Sequence, residues 1–391
     1  NMKKSILIAA LFGVALGANA QGNNTGMGGN DGDYQSIAER VLKLEKHNDM
    51  FNVYLNYAAA AHAQGTDGTW TSGFANKQLR LEIKGNLTDH LYYRLRHRMN
   101  KATDAKGEDN FAKATDIMMV GYKFSDKLNV QAGKMCQIWG GFEFDANPMY
   151  IYQYSDMVDN MDNFMAGVTV SYKPVPTQEI AVEVSDANND KFAKEYPGAA
   201  AQGLTASNNP LTYIVNWNGS FFGDKLQTRW SWGIQTQARH KYSRMLVFGQ
   251  KLNLPTFQWY FDYMGAFDGL DRLQIASNEL GSFMTTGQSY FTDVHYNSFI
   301  SKMDWQFAPQ WNFFVKGMYE TASVTKVEKL KDYRKSFGYF AGIEYYPEKS
   351  QDFRVSLSYI GRKYNYSDKC GLKDYNTNRI ELGFMYRIKC F

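Results

Sequence analysis

From residue 50 onward, apolar and polar side chains alternate one for one, and turn residues interrupt the alternation at near-regular intervals. A period of two belongs to strands with two unlike faces, and its repetition along a chain leaves little room for anything but sheet. Phe51, Val53, Leu55, Tyr57 and Ala59 alternate with Asn52, Tyr54 and Asn56, and Leu79, Leu81, Ile83, Gly85 and Leu87 with Arg80, Glu82, Lys84 and Asn86. Near the other end Ile380, Leu382, Phe384, Tyr386 and Ile388 alternate with Arg379, Glu381, Arg387 and Lys389. The pattern predicts about 16 strands, over 50–61, 75–88, 90–100, 114–124, 127–138, 165–174, 178–186, 210–222, 225–239, 242–250, 256–268, 293–307, 310–323, 336–347, 352–364 and 377–391.

The links between these strands carry as much information. After even-numbered strands they are tight, as at Thr88-Asp89, Ser125-Asp126, Gly223-Asp224 and Ala308-Pro309. After odd-numbered strands they are long, over 62–74, 101–113, 139–164, 187–209, 269–292, 324–335 and 365–376, the short link near residue 240 excepted. A soluble sandwich has no reason to alternate in this way. An outer-membrane barrel does, with short turns on the periplasmic side and loops outside. Composition agrees. Aromatic residues are 16% and hydrophobic residues 44%, too apolar for a disordered chain, yet no apolar run reaches the length of a membrane-crossing helix. The fold class expected is all-β: a transmembrane antiparallel β-barrel over 50–391, with a short N-terminal helix and an inward-folded third loop.

Ahead of the barrel, Lys3 and Lys4 precede the apolar stretch Ser5–Gly17 and the small-x-small site Ala18-Asn19-Ala20. This reads as a signal peptide over 1–20 for the general secretory route, with Gln21 starting the mature chain. Its removal takes Lys3 and Lys4 from the 43 basic residues, leaving 41 against 39 acidic ones, and no basic tail points to nucleic acid. Residues 21–49 read as a Gly/Asn-rich tail and a short periplasmic helix capped at Ser36. Ile37, Val41, Leu44, Asn48 and Phe51 on one helical stripe suit either an intersubunit coiled coil or packing at the barrel mouth. The terminal Phe391 is an aromatic of the kind bacterial barrels present to their insertion machinery, one residue out of phase with Ile380–Ile388.

A closed barrel leaves no free edges, so function falls to the lumen and the loops. Arg94, Arg96 and Arg98 share one face at spacing two. An Arg on the lipid face near mid-membrane costs roughly 2–4 kcal/mol, so three of them belong to the lumen. The tight turn at 88–89 adds Arg80 and Lys84 to the same wall, which makes a basic ladder able to favour anions. The same arginines could also serve only to fold against acids such as Glu82. Arg229, Arg354, Arg362, Arg387 and Lys389 point inward by phase as weaker candidates. The third link contains Glu143, Asp145, Asp156, Asp159 and Asp162 with no Lys or Arg. Folded inward, these acids would face a basic wall across a constriction. Their spacing matches no calcium loop, and Cys136, Cys370 and Cys390 form neither a metal cage nor a disulfide framework, so no cofactor or metal is expected.

Phe74-Ala-Asn-Lys-Gln-Leu-Arg-Leu-Glu-Ile-Lys-Gly-Asn-Leu, the basic strand after it and Leu128-Asn-Val-Gln-Ala-Gly-Lys-Met resemble the phosphate-selective porin O and P family over about residues 70–175. The resemblance implies a sixteen-stranded homotrimeric porin passing anions along an arginine ladder, which Arg80, Arg94, Arg96 and Arg98 match in character. Family phosphate sites also use lysine clusters near the mouth, where this third loop is acidic. The function expected is passive diffusion of small hydrophilic solutes through the outer membrane, leaning to anions, with phosphate as one candidate. The alternative is a non-conducting assembly, secretion or adhesion component. An outer-membrane hydrolase would need a Ser/His or Asp/His set, which six scattered histidines do not supply.

Overall fold

The computed structural model describes residues 50–391 apart from 104, 105 and 349. The expected signal peptide and the helix after Ser36 therefore lie outside the described residues. Sixteen strands follow one another: β1 (Asn52–Thr66), β2 (Thr69–Asn86), β3 (Leu91–Arg98), β4 (Thr115–Lys123), β5 (Leu128–Cys136), β6 (Phe164–Val175), β7 (Gln178–Asp186), β8 (Leu211–Phe221), β9 (Leu226–Ala238), β10 (Lys241–Asn253), β11 (Phe257–Leu270), β12 (Thr292–Ala308), β13 (Trp311–Val324), β14 (Arg334–Tyr345), β15 (Asp352–Tyr366) and β16 (Tyr375–Lys389). Each pairs antiparallel with its neighbours in the chain, and β1 pairs with β16 from Tyr54↔Lys389 to Thr66↔Thr377, closing the barrel. Past the end of β16, the Phe391 amide donates to the Val53 carbonyl at 3.3 Å and the Val53 amide to the Phe391 carbonyl at 3.1 Å. That extra pairing absorbs the phase slip of the last residue.

Every expected strand is present, but the first connection is not a long loop over 62–74. β1 and β2 continue to a two-residue turn at Asp67-Gly68, where φ is 48° and 86°. An Asp-Gly pair supplies the two positive φ angles of a hairpin turn whose twist matches the flanking strands. Trp70 apart, the residues around it are small or polar, which imitates a loop in composition.

The barrel is apolar outside and polar inside. On β7, Ile180, Val182 and Val184 are exposed while Glu179, Glu183 and Ser185 are buried towards the lumen. Val168, Val170, Val215, Phe261, Leu357 and Leu382 continue the exposed apolar belt. At its turn side stand Trp217, Trp230 and Phe248 with ring centroids 5.2 and 4.9 Å apart, and Trp311 with Tyr345 at 4.5 Å. An apolar belt edged by aromatics is what a hydrocarbon layer and its interface require. Closure meanwhile satisfies the backbone without water.

Inside, close packing is strict in places. Tyr92 is fully buried; its hydroxyl donates to Asn129 Oδ1 and accepts from Gln131 Nε2, both at 2.8 Å. Its ring crosses the paired residue Gly121, where a Cβ would come within 2.0 Å. Gly121→Ala is therefore expected to destabilise the barrel by about 1–3 kcal/mol, seen as a lower urea midpoint in detergent. An unchanged midpoint would mean that the ring moves aside freely.

Candidate functional site

Alternation places Arg80, Glu82 and Lys84 of β2 and Arg94, Arg96 and Arg98 of β3 on the inner face. The register sets Arg80 against Arg98, Glu82 against Arg96 and Lys84 against Arg94. Like charges thus stand opposite one another at two of three levels, an unfavourable arrangement unless acids intervene. Two do. Glu82 lies 3.4 Å from the Lys84 ammonium and 3.1 Å from Arg94 Nε. Asp116 lies 2.7 Å from Arg98 Nε, 3.3 Å from Arg96 Nε and 3.7 Å from Arg80. Asp116 reaches all three because β4 slips register there: Arg96 pairs with Ile117 but His97 with Thr115, so Asp116 is the extra residue of a bulge. The Phe164 ring covers Arg96 and Arg98 at 5.1 and 5.9 Å. Five cations share two carboxylates, and the patch keeps a positive excess. Its members differ in access: the Arg98 side chain is 29% exposed, Arg96 4% and Lys84 3%.

The connection from β5 to β6 carries two short helices, α1 (Phe142–Asp145) and α2 (Asp156–Asp159). It bonds to inward-facing residues of strands across the barrel. Gly140 and Gly141, with φ of 73° and 77°, turn the chain. The Asp262 carboxylate of β11 then accepts the amides of Phe142 and Glu143 at 2.8 Å each. Glu320 of β13 accepts the amides of Asp156 and Met157 at 3.0 and 3.4 Å. A carboxylate thus caps the start of each helix, where free N–H groups gather. Between the helices, Arg354 donates to the Tyr150 carbonyl at 3.2 Å, Arg379 to that of Tyr152 at 3.1 Å and Lys316 to that of Gln153 at 2.8 Å.

The acids of this connection do not meet the β2–β3 cations. Glu143, fully buried, pairs with Lys316 and accepts from the Ser155 hydroxyl at 2.6 Å. Asp145 lies 3.3 Å from Arg229. Asp156 lies 2.8 Å from both Arg334 and Arg362. Burial opposes its charge, but the two guanidiniums outweigh burial and hold the Asp156 carboxyl below the usual range. Asp159 and Asp162 stay exposed, accepting from Gln153 at 3.4 Å and Asn189 at 2.8 Å. Arg229, Arg354, Arg362 and Arg387 are buried on the inner face, as their phase predicts. Asp116, Asp262, Lys316, Glu320, Arg334 and Glu344 were missed. Lumen phase signalled Asp262, Lys316, Glu320 and Glu344, but not the bulged Asp116, nor Arg334, which falls in the expected link 324–335 because β14 starts two residues earlier than its pattern suggests. The three cysteines are free thiols.

Residues 51–388 match the family model described as phosphate-selective porin O and P. The chain belongs to this porin family. It is an outer-membrane porin. Among solved structures, the outer membrane channel DcaP of Acinetobacter baumannii aligns with 91% of this porin and 99% of its own chain, at 12% identity and a TM-score of 0.62. OmpF of Salmonella typhi aligns with 88% and 100%, at 13% identity and 0.55. OmpT of Vibrio cholerae in its trimer form aligns with 87% and 100%, at 10% identity and 0.52. At such identities the likeness speaks for the shared barrel alone. No curated protein sequence matches this porin significantly.

Proposed function

We propose that this porin lets small hydrophilic solutes diffuse passively, with a preference for anions, phosphate among them. The path runs along Arg80, Lys84, Arg94, Arg96 and Arg98, and the β5–β6 connection forms the constriction. The observation that carries this reading is the uneven charge of the lumen. The inward cations on β9 and β13–β15 each lie within 4 Å of an acid, as in Arg229–Asp145, Lys316–Glu143, Arg334–Asp156, Arg354–Glu344 and Arg362–Glu320, while the β2–β4 patch holds five cations against two carboxylates. An unbalanced basic wall raises the local concentration of anions and lowers that of cations. The mature chain is exported through the general secretory route and assembles as a homotrimer, as the resemblance to porins implies.

The test is the reversal potential of purified, refolded protein in a planar bilayer under a KCl gradient. An anion-side potential that falls when phosphate is added is the expected result. A cation-side potential would hand control to Asp159 and Asp162. Absence of channels would favour the assembly or adhesion reading, in which the anchored β5–β6 connection closes the lumen.

A further inference from the structure

Among the described strand residues, the Lys and Arg side chains that point outward are Arg244, Lys335 and Lys363. Every other strand Lys or Arg follows the inward phase or sits at a strand end. Lys335 is the second residue of β14, and Lys363 lies three residues before the end of β15, so both stand at the loop side of the wall. They are also neighbours. Lys335 pairs with Asn365 and Phe337 with Lys363, which puts the two lysines diagonally across one strand step, about 7–8 Å apart. Thr321 of β13 stands opposite Lys335, and Asn376 of β16 opposite Lys363.

Directly below this polar group the same faces turn apolar. Phe337, Tyr339, Leu357 and Tyr359 are exposed. An outward cation is costly at mid-bilayer and almost free at headgroup level, so the two lysines mark that level. Their four-carbon stems can lie on the aromatic surface while the ammonium groups reach the interface. Arg334 and Arg362, the preceding residues, point inward and hold Asp156, which fixes the backbone beneath both lysines.

We propose that Lys335 and Lys363, flanked by Thr321, Asn365 and Asn376, bind the phosphorylated headgroup of an outer-leaflet lipid whose acyl chains lie along Phe337, Tyr339 and Tyr359. Charge complementarity names the occupant. Two lysines stand diagonally on neighbouring strands with hydroxyl and amide residues beside them, and a hydrocarbon-facing surface lies below. A phosphorylated amphiphile meets all three features at once. The proposal rests on the reading of the chain as an outer-membrane barrel.

The test uses the full chain purified in detergent and incubated with diphosphoryl lipid A or with lipid A stripped of both phosphates. Bound lipid is counted by native mass spectrometry. Wild type is expected to retain the phosphorylated form, and the double variant K335Q/K363Q to retain on the order of tenfold less or lower still. K335R/K363R should restore retention. Equal retention by the Gln variant, or equal retention of the stripped lipid, would overturn the site. So would a change in oligomer mass with lipid binding intact, since the face would then belong to a second copy. Currents in KCl are recorded from the same preparations. Wild-type currents in the Gln variant leave the barrel reading standing whichever way lipid binding falls.

Discussion

Replacing Arg94, Arg96 and Arg98 together with Gln is expected to bring the reversal potential close to zero while the barrel still folds and inserts. The patch on β2–β4 holds five cations and two carboxylates, a net charge of plus three, and the substitution leaves Arg80 and Lys84 facing Glu82 and Asp116, a net charge of zero. Selectivity in a wet pore follows such local imbalance, so its loss should be large, and larger at low salt where screening is weak. Folding should survive because Gln keeps hydrogen-bonding capacity, and each remaining acid retains a cation within 4 Å. Glu82→Gln should act in the opposite sense and strengthen anion preference. The reading would collapse if the triple variant failed to insert, or inserted with selectivity unchanged; the arginines would then be fold elements only.

The second large effect concerns the β5–β6 connection. Asp262→Ala removes the acceptor of the Phe142 and Glu143 amides beside the paired glycines that turn the chain. Hydrogen bonds to a charged group contribute roughly 1.5–3 kcal/mol each, so losing the pair shifts the docked-to-undocked ratio by a factor of about a hundred or more. Single-channel records should show flicker between conductance levels absent from wild type. Asp262→Asn, which keeps one acceptor oxygen, should flicker less. Identical traces for wild type and Asp262→Ala would show that the Arg334, Arg362 and Lys316 contacts hold the segment without this cap.

How far the sequence reaches is clear from particular residues. The strands were legible because their signal is local: lipid on one side and water on the other impose period two, and tight turns leave Ser-Asp, Gly-Asp or Ala-Pro behind. The Asp67-Gly68 turn carried its own local signal, but the polar residues around it imitate a loop, since above the hydrocarbon both strand faces meet water. Inward phase identified the cations of β2 and β3. It could not reveal Asp116, because a bulge breaks the alternation on which phase depends. Nor could it pair Asp156 with Arg334 and Arg362, about 180 and 206 residues away, since loop geometry chooses among many inward bases.

The hairpin of β1 and β2 has a practical use. Its tip is two residues long, and nothing lies within 4 Å of a Cβ built on Gly68. The strands leading to it are already paired, on one side with each other and on the other, for β1, with β16. A short peptide epitope spliced in after Gly68 would leave the barrel at its loop side without disturbing a packed contact. The same stub that shortens the wall's first loop thus offers a mounting point for tags, fluorophores or affinity handles on living cells.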